Sequence, residues 1–172
     1  MKVTDLVRAS VVVVVAVVLQ HGVLDAVVVA GAHPDVTLAL AAAGGYVAGP
    51  ERGAAFGFAT GLVADLLVPT TFGLTALVGS VVGYATGVAT QGLVRSSWWL
   101  APVALATATG AGLTGYATLG AMLGQPGMLR ADLGPALALS TPAAAVLAGP
   151  VLRAVAWALP PAAPAYDGGR GR

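Results

Sequence analysis

The chain has 172 residues, of which 58% are hydrophobic and only 9% are charged, against about 25% charged residues in an ordinary soluble domain. Its 8 basic and 7 acidic side chains nearly cancel, and the mean hydropathy of the whole chain is +0.89. This composition excludes a soluble enzyme, a nucleic-acid-binding domain and a disordered chain, because each of these needs far more polar surface.

Long apolar stretches, such as residues 11–19 and 36–43, run without the polar alternation of a membrane barrel. Only helices or closed barrels satisfy every backbone group in hydrocarbon, so we expect an all-α, polytopic membrane helix bundle. Residues 1–159 form its single domain, and residues 160–172 are predicted to be a disordered cytoplasmic tail. About six transmembrane helices are predicted, with five or seven also compatible, at about 9–24, 35–49, 53–68, 72–94, 98–123 and 135–159.

Turn-forming residues separate the early helices. Pro34 and Asp35 are predicted to open the second helix, and the segment 49–52 (Gly-Pro-Glu-Arg) is predicted to be a tight turn. Residues 26–32 either continue the first helix or re-enter the membrane. The second and third helices would each be roughly 22 Å long, which is less than the ~30 Å of hydrocarbon. They must therefore thin the bilayer or be shielded by neighbouring helices.

The distribution of basic residues predicts the orientation in the plasma membrane. With six spans and a cytoplasmic N-terminus, the outer side receives only Arg130. The inner side receives all the other basic residues, namely Lys2, Arg8, Arg52, Arg95, Arg153, Arg170 and Arg172. This bias follows the positive-inside rule, so both termini are expected in the cytoplasm.

Glycine recurs at every fourth position in two parts of the sequence. The two runs are Gly45, Gly49, Gly53, Gly57 and Gly61, and then Gly79, Gly83 and Gly87. Each run makes a smooth stripe on a helix along which backbones can approach closely. The turn at Pro50 is expected to interrupt the first run and leave a continuous groove from Gly53 to Gly61. Two interpretations remain open: the stripes pack within the chain, or one of them docks a helix of another protein.

Asp65 lies four residues after Gly61 and therefore on the glycine face. A carboxylate at mid-membrane costs roughly 3 kcal/mol on insertion scales and needs a partner or water. One interpretation is a helix-end carboxylate that caps loop amides around Thr70 and Thr71. The other is a buried polar link that fixes two helices or a partner protein.

Residues typical of catalysis or metal binding are scarce. The chain has no cysteine, which excludes disulfides and thiolate metal sites. His21 and Asp25 could share a helix face, but they lack a third firm ligand, so no metal site is predicted. No serine triad or phosphate-binding loop is present, and we expect neither enzymatic activity nor a cofactor.

Residues 34–84 resemble a known family. The segment 53–66 reads G-x-x-x-G-F-x-x-G-L-x-x-D-L; it is preceded by Pro34-Asp35 and followed by Phe72-Gly73 and then Gly83-Tyr84. This order of features is similar to that of MreD, the rod shape-determining membrane protein family of bacteria.

The resemblance implies a non-enzymatic component of the cell-elongation complex, required for cell shape and lateral peptidoglycan synthesis. It implies partners: the bitopic coiled-coil protein MreC, and the MreB, RodA and class B transpeptidase machinery. It also implies a fold similar to the substrate-binding subunits of ECF vitamin transporters. The positions expected to make structural or partner contacts are Pro34, Asp35, Gly53, Gly57, Gly61, Asp65, Gly73 and Gly83.

A second function from another class is a membrane transport subunit that binds a small molecule between its helices. Such a site needs convergent polar or aromatic groups around a cavity. The outer half of the predicted bundle offers few candidates: Gln20, His21, Asp65, Thr70, Thr71 and Gln125. This thin set favours the assembly role over transport.

Overall fold

The computed structural model describes residues 3–22, 35–67, 73–91, 99–124 and 133–159. These residues form six α-helices and no strand, which confirms the all-helical fold class for this part of the chain. The helices are α1 (Val3–Gly22), α2 (Val36–Ala48), α3 (Pro50–Asp65), α4 (Leu74–Ala89), α5 (Leu100–Met122) and α6 (Leu133–Ala158).

Helix α2 lies at the centre of the bundle and contacts each of the other five helices. Those five form a closed ring around it, in the spatial order α1, α3, α4, α5 and α6, with α6 contacting α1 again. Every residue of α2 except Thr37 is buried. Alanine and glycine supply much of its surface, and small side chains allow several neighbouring helices to approach one central helix.

The central position of α2 explains how so short a helix fits the bundle. Its 13 residues span only about 20 Å, less than the ~30 Å of a hydrocarbon core. Because the ring surrounds α2, its side chains are covered by protein along its length. Of the two outcomes that its length allows, shielding by neighbours is the one that the structure displays.

Two ends of the bundle differ in their side chains. One end holds the start of α1, the α2–α3 turn and the end of α6. Leu6, Arg52 and Leu159 line one groove there. The Arg8 guanidinium lies 5.2 Å from the Trp157 ring centroid at the same end. We call this the basic end. The opposite end holds the end of α1, the start of α2 and the α3–α4 connection. We call it the capped end.

The helix boundaries differ from the predicted ones in two informative places. Pro50, Glu51 and Arg52 do not form a turn; they are the first residues of α3, and the connection reduces to Gly49 with φ 85°. Proline favours the first helical position because its missing N–H would lack an intrahelical partner there. Helix α1 begins at Val3 instead of near residue 9, with Asp5 in its first turn, where the helix dipole favours an acidic side chain.

By length and composition, two of the described helices are able to cross a membrane: α1 from Val3 to Gln20, and α6. Helices α2 and α4 are apolar but shorter. The predicted spans therefore gain support at α1 and α6. The predicted tail at 160–172 and the possible re-entrant segment at 26–32 lie outside the described residues.

Candidate functional site

The two glycine stripes face each other across the α3–α4 contact. A Cβ atom added to Gly57 would lie less than 3.0 Å from the carbonyl oxygen of Gly79, and one added to Gly79 would lie 2.6 Å from the carbonyl oxygen of Gly57. Gly53 and Gly83 meet in the same way, again through backbone atoms. Real Cβ atoms essentially never show such distances, so these positions exclude every larger residue unless a helix moves.

Helix α2 enters the same contact through Gly45. A Cβ on Gly45 would meet the backbone of Gly83 and Gly87, and a Cβ on Gly53 would meet the backbone of Gly45. The first run is interrupted at Gly49, as expected, but Gly45 still reaches the contact, from α2 instead of α3. A one-residue connection keeps α2 and α3 antiparallel and adjacent, which leaves Gly45 opposite Gly53. We call this three-helix contact the glycine seam: Gly45, Gly53, Gly57, Gly61, Gly79, Gly83 and Gly87.

The seam is an internal surface. Gly61 packs on the backbone of Thr75 and Ala76, and Gly87 packs on that of Gly49 and Pro50. The seam glycines of α3 and α4 are all buried. Of the two interpretations of the stripes, packing within the chain is the one seen, and neither stripe presents an open face to a partner helix.

Asp65 ends α3 and caps the start of α4. One of its carboxyl oxygens, Oδ2, accepts hydrogen bonds from the backbone N–H of Gly73 at 2.9 Å and of Ala76 at 3.2 Å. Gly73 occupies the N-cap position of α4 with φ 91°, a left-handed conformation that favours glycine and offers no side chain for capping. Asp65 therefore supplies from α3 the cap that Gly73 lacks. Thr70 and Thr71, the other expected partners, lie outside the described residues.

The start of α2 is capped by its own N-cap residue and by side chains from two other helices. Oδ1 of Asp35 accepts from the N–H groups of Thr37 and Leu38, and Oε1 of Gln20 on α1 accepts from Val36 N–H at 2.9 Å. The hydroxyl of Ser140 on α6 accepts from Asp35 N–H at 3.0 Å. Both Gln20 and Ser140 are buried. Unpaired N–H groups at a helix start are costly to bury, so these bonds allow α2 to begin inside the bundle.

Two buried polar atoms in the described part of the chain have no hydrogen-bond partner: Oδ1 of Asp65 and the hydroxyl of Thr109. Asp65 is only 5% exposed, so its second oxygen is desolvated without compensation from the described residues. Such groups are uncommon in folded proteins. One oxygen of the Asp65 carboxyl group thus accepts two hydrogen bonds, and the other accepts none from the described residues.

The residues considered for metal binding do not assemble a site in the described part of the chain. No group of three or more His, Cys, Asp or Glu side chains able to hold a metal is found among the described residues. Asp25 lies outside these residues, as do Pro34 and Gln125.

Grooves along the outer surface are almost wholly apolar. One of about 430 Å³ lies between α1, α2 and α6, one of about 380 Å³ lies between α1 and α3, and one of about 180 Å³ lies between α4 and α5. Arg52 lines the second groove at the basic end. None of these three grooves gathers the convergent polar groups that a polar small molecule requires.

Comparison with known proteins adds no assignment: no protein-family model, no curated protein and no solved structure matches the chain.

The geometry alone brings out two residues that the sequence does not single out as contacts. Gln20 is named only among the polar groups that a transport site could use, and Ser140 is not distinguished at all. Both are polar residues within largely apolar helices, and a buried polar side chain generally has a partner.

Proposed function

We propose that the chain is a multi-pass protein of the plasma membrane. The outer faces of the ring carry large apolar side chains: Val15 is 51% exposed on α1, Val81 59% on α4 and Val146 79% on α6. A soluble monomer rarely exposes apolar surface of this extent, whereas lipid tails solvate it without penalty. This exposed apolar ring is the observation that supports membrane insertion most directly.

The charged side chains support an orientation with both termini in the cytoplasm. Arg8, Arg52 and Arg153 belong to helix segments at the basic end, together with Asp5 and Glu51. The described residues of the capped end include Asp35 and Asp65 but no lysine or arginine. Cytoplasmic surfaces carry the excess of basic residues, so we place the basic end inside the cell.

Within the membrane, we infer a non-enzymatic role in the bacterial cell-elongation complex, as a protein of the MreD type. The residues that carry the resemblance, 34–84, include the whole of α2 and α3 and the first two thirds of α4, the three helices that share the glycine seam. On this proposal the sequence motif preserves a rigid three-helix unit. Contacts with an MreC-like protein and with the peptidoglycan-synthesis machinery would then use outer faces of the ring and short loops.

Depletion in a rod-shaped bacterium tests this role. We expect the cells to become round when the protein is removed, and we expect an MreC-like bitopic protein to co-purify with the full chain in detergent. Gly115→Ala should restore the rod shape, because a Cβ at Gly115 meets no atom within 4 Å. Unchanged shape after depletion, together with the absence of such a protein from the purified complex, would contradict the proposal.

The transport alternative draws support only from the surface grooves. The groove of about 430 Å³ between α1, α2 and α6 is lined by valine, leucine, alanine and proline, which suits an apolar chain better than a polar vitamin. Lost uptake of a vitamin in depleted cells of normal shape would favour transport over assembly.

A further inference from the structure

The groove between α1 and α3 combines an apolar channel with a cation at one end. Leu6, Ala9 and Val14 on α1 face Phe56 and Val63 on α3 across a volume of about 380 Å³. This volume lies within the range of about 300–1,000 Å³ that is typical of ligand sites. The groove starts at the basic end and extends toward the middle of the bundle.

The polar groups of the groove are few and well defined. The Ser10 hydroxyl donates to the carbonyl oxygen of Leu6 at 3.0 Å, so its proton is already used within α1. Arg52 lines the groove and is exposed. Arg52 already has an interaction within the protein, so an anion would add to an existing contact.

The neighbouring groove between α1, α2 and α6 provides a contrast. It is also apolar, but no charged side chain lines it. Any acyl chain could occupy that groove without regard to its headgroup. In the α1–α3 groove, by contrast, a positive charge stands where the channel reaches the surface, and this arrangement is complementary to a molecule with an apolar tail and an anionic head.

We propose that the α1–α3 groove binds an anionic phospholipid, with one acyl chain between the two helices and the phosphate against Arg52. This inference rests on the membrane orientation proposed above, which places the basic end in the leaflet that carries most anionic lipid. Basic pockets between transmembrane helices on the cytoplasmic side are known to hold anionic headgroups. The site would fasten α1, which otherwise contacts the ring through a narrow strip of side chains.

Native mass spectrometry of the full chain in detergent, titrated with phosphatidylglycerol or phosphatidylcholine, tests the site. We expect the wild-type chain to retain phosphatidylglycerol about fivefold more tightly, the effect of one basic residue near an anionic headgroup. Arg52→Gln should remove that preference and leave phosphatidylcholine binding unchanged. Ala59→Leu, which adds bulk inside the groove, should weaken the binding of both lipids.

Matched variants control for general effects. Arg153→Gln removes another exposed arginine from α6 outside the groove lining, and Ala89→Leu adds the same bulk at an exposed alanine of α4 outside the groove. Neither should change lipid retention. Equal loss of phosphatidylglycerol in Arg52→Gln and Arg153→Gln would overturn the proposal, as would full competition by inorganic phosphate alone. Circular dichroism of each variant establishes that it is folded.

The lipid measurement is independent of the proposed cellular role. Preserved lipid preference with normal cell shape after depletion would reject the elongation role and keep the lipid site. Loss of the rod shape after depletion, together with no lipid preference, would reject the lipid site and keep the elongation role.

Discussion

Helices α3 and α4 contact each other along glycine backbones, whereas α1 contacts the rest of the bundle through Ala9, Val13 and Val17. The contact between α3 and α4 is the most extensive between any two described helices, and the contacts that α1 makes with its neighbours are among the least extensive. Grooves of about 430 and 380 Å³ flank α1 on its two sides. The same bundle therefore contains a tightly fitted part and a loosely fitted edge.

Side-chain size explains the difference. In the membrane setting proposed above, no hydrophobic force draws helices together, so association depends on van der Waals contact and on hydrogen bonds. Glycine permits contact between whole backbones, and many weak dispersion contacts add up along the seam. Valine has a stiff branched side chain that keeps helix axes apart, and the space beside it remains as a groove. The hydrogen bond that Gln20 accepts from Val36 N–H at the start of α2 and the contact of Arg8 with Trp157 hold α1 near its two ends.

The largest effect is expected at the glycine seam. Gly57→Val should destabilise the bundle by about 3 kcal/mol or more, because its side chain would push the backbone of Gly79 away. Unfolding of the detergent-solubilised protein in a denaturant series measures this loss. Gly115→Ala is the matched change at an open helical glycine and should not lower stability. Similar stabilities of the two variants would show that the seam does not determine the packing.

A smaller loss is expected at the α3–α4 connection. Asp65→Ala leaves the N–H groups of Gly73 and Ala76 without their acceptor, and a buried donor left unpaired costs about 1–3 kcal/mol. Asp65→Asn retains one acceptor oxygen and should lose less, while membrane insertion is preserved. Amide hydrogen exchange at the first turn of α4 reports the change directly. The exposed Glu51 gives the control: Glu51→Gln should leave exchange in α4 unaltered, and accelerated exchange in both variants would argue against a local cap.

The smallest effect is expected on the open face of α1. Val15→Ala should change stability by less than about 0.5 kcal/mol, because Val15 is half exposed beside a groove. Val17, two residues further along α1, is only 1% exposed, so Val17→Ala should lower the stability by roughly 1–2 kcal/mol. Thermal unfolding of both variants in the same detergent compares them. Equal losses would mean that the α1 edge is packed as tightly as the seam.

Much of the local structure follows from the sequence. Apolar runs and turn residues predict the regions of all six helices, and glycine at every fourth position predicts smooth helix faces. Asp35 is the N-cap of α2, as expected of an acidic residue at a helix start. The position of Pro50 was misjudged, because the Gly-Pro pair that signals a turn is also the pair that starts a helix with proline in its first position.

The contacts between helices could not be predicted in this way. Ser140 caps a residue 105 positions earlier, and nothing in the local sequence around either residue points to the other. Asp65 reaches Gly73 and Ala76, eight and eleven residues later, and that reach depends on how the connection folds. Likewise, the spacing of Gly45 identifies a face but cannot identify the two helices that it touches.

The sequence by itself determined the chemical character of this protein: an apolar helical chain with small residues in register and few charges. These properties follow from composition and from the spacing of residues within one helix, and both can be seen in each segment without knowing its neighbours. Tertiary structure decided that α2 lies inside a ring of five helices, that the glycine stripes meet each other, and that side chains of two other helices help to cap the start of α2. Those outcomes depend on which faces come together, and a period of four residues specifies a face without specifying its neighbour.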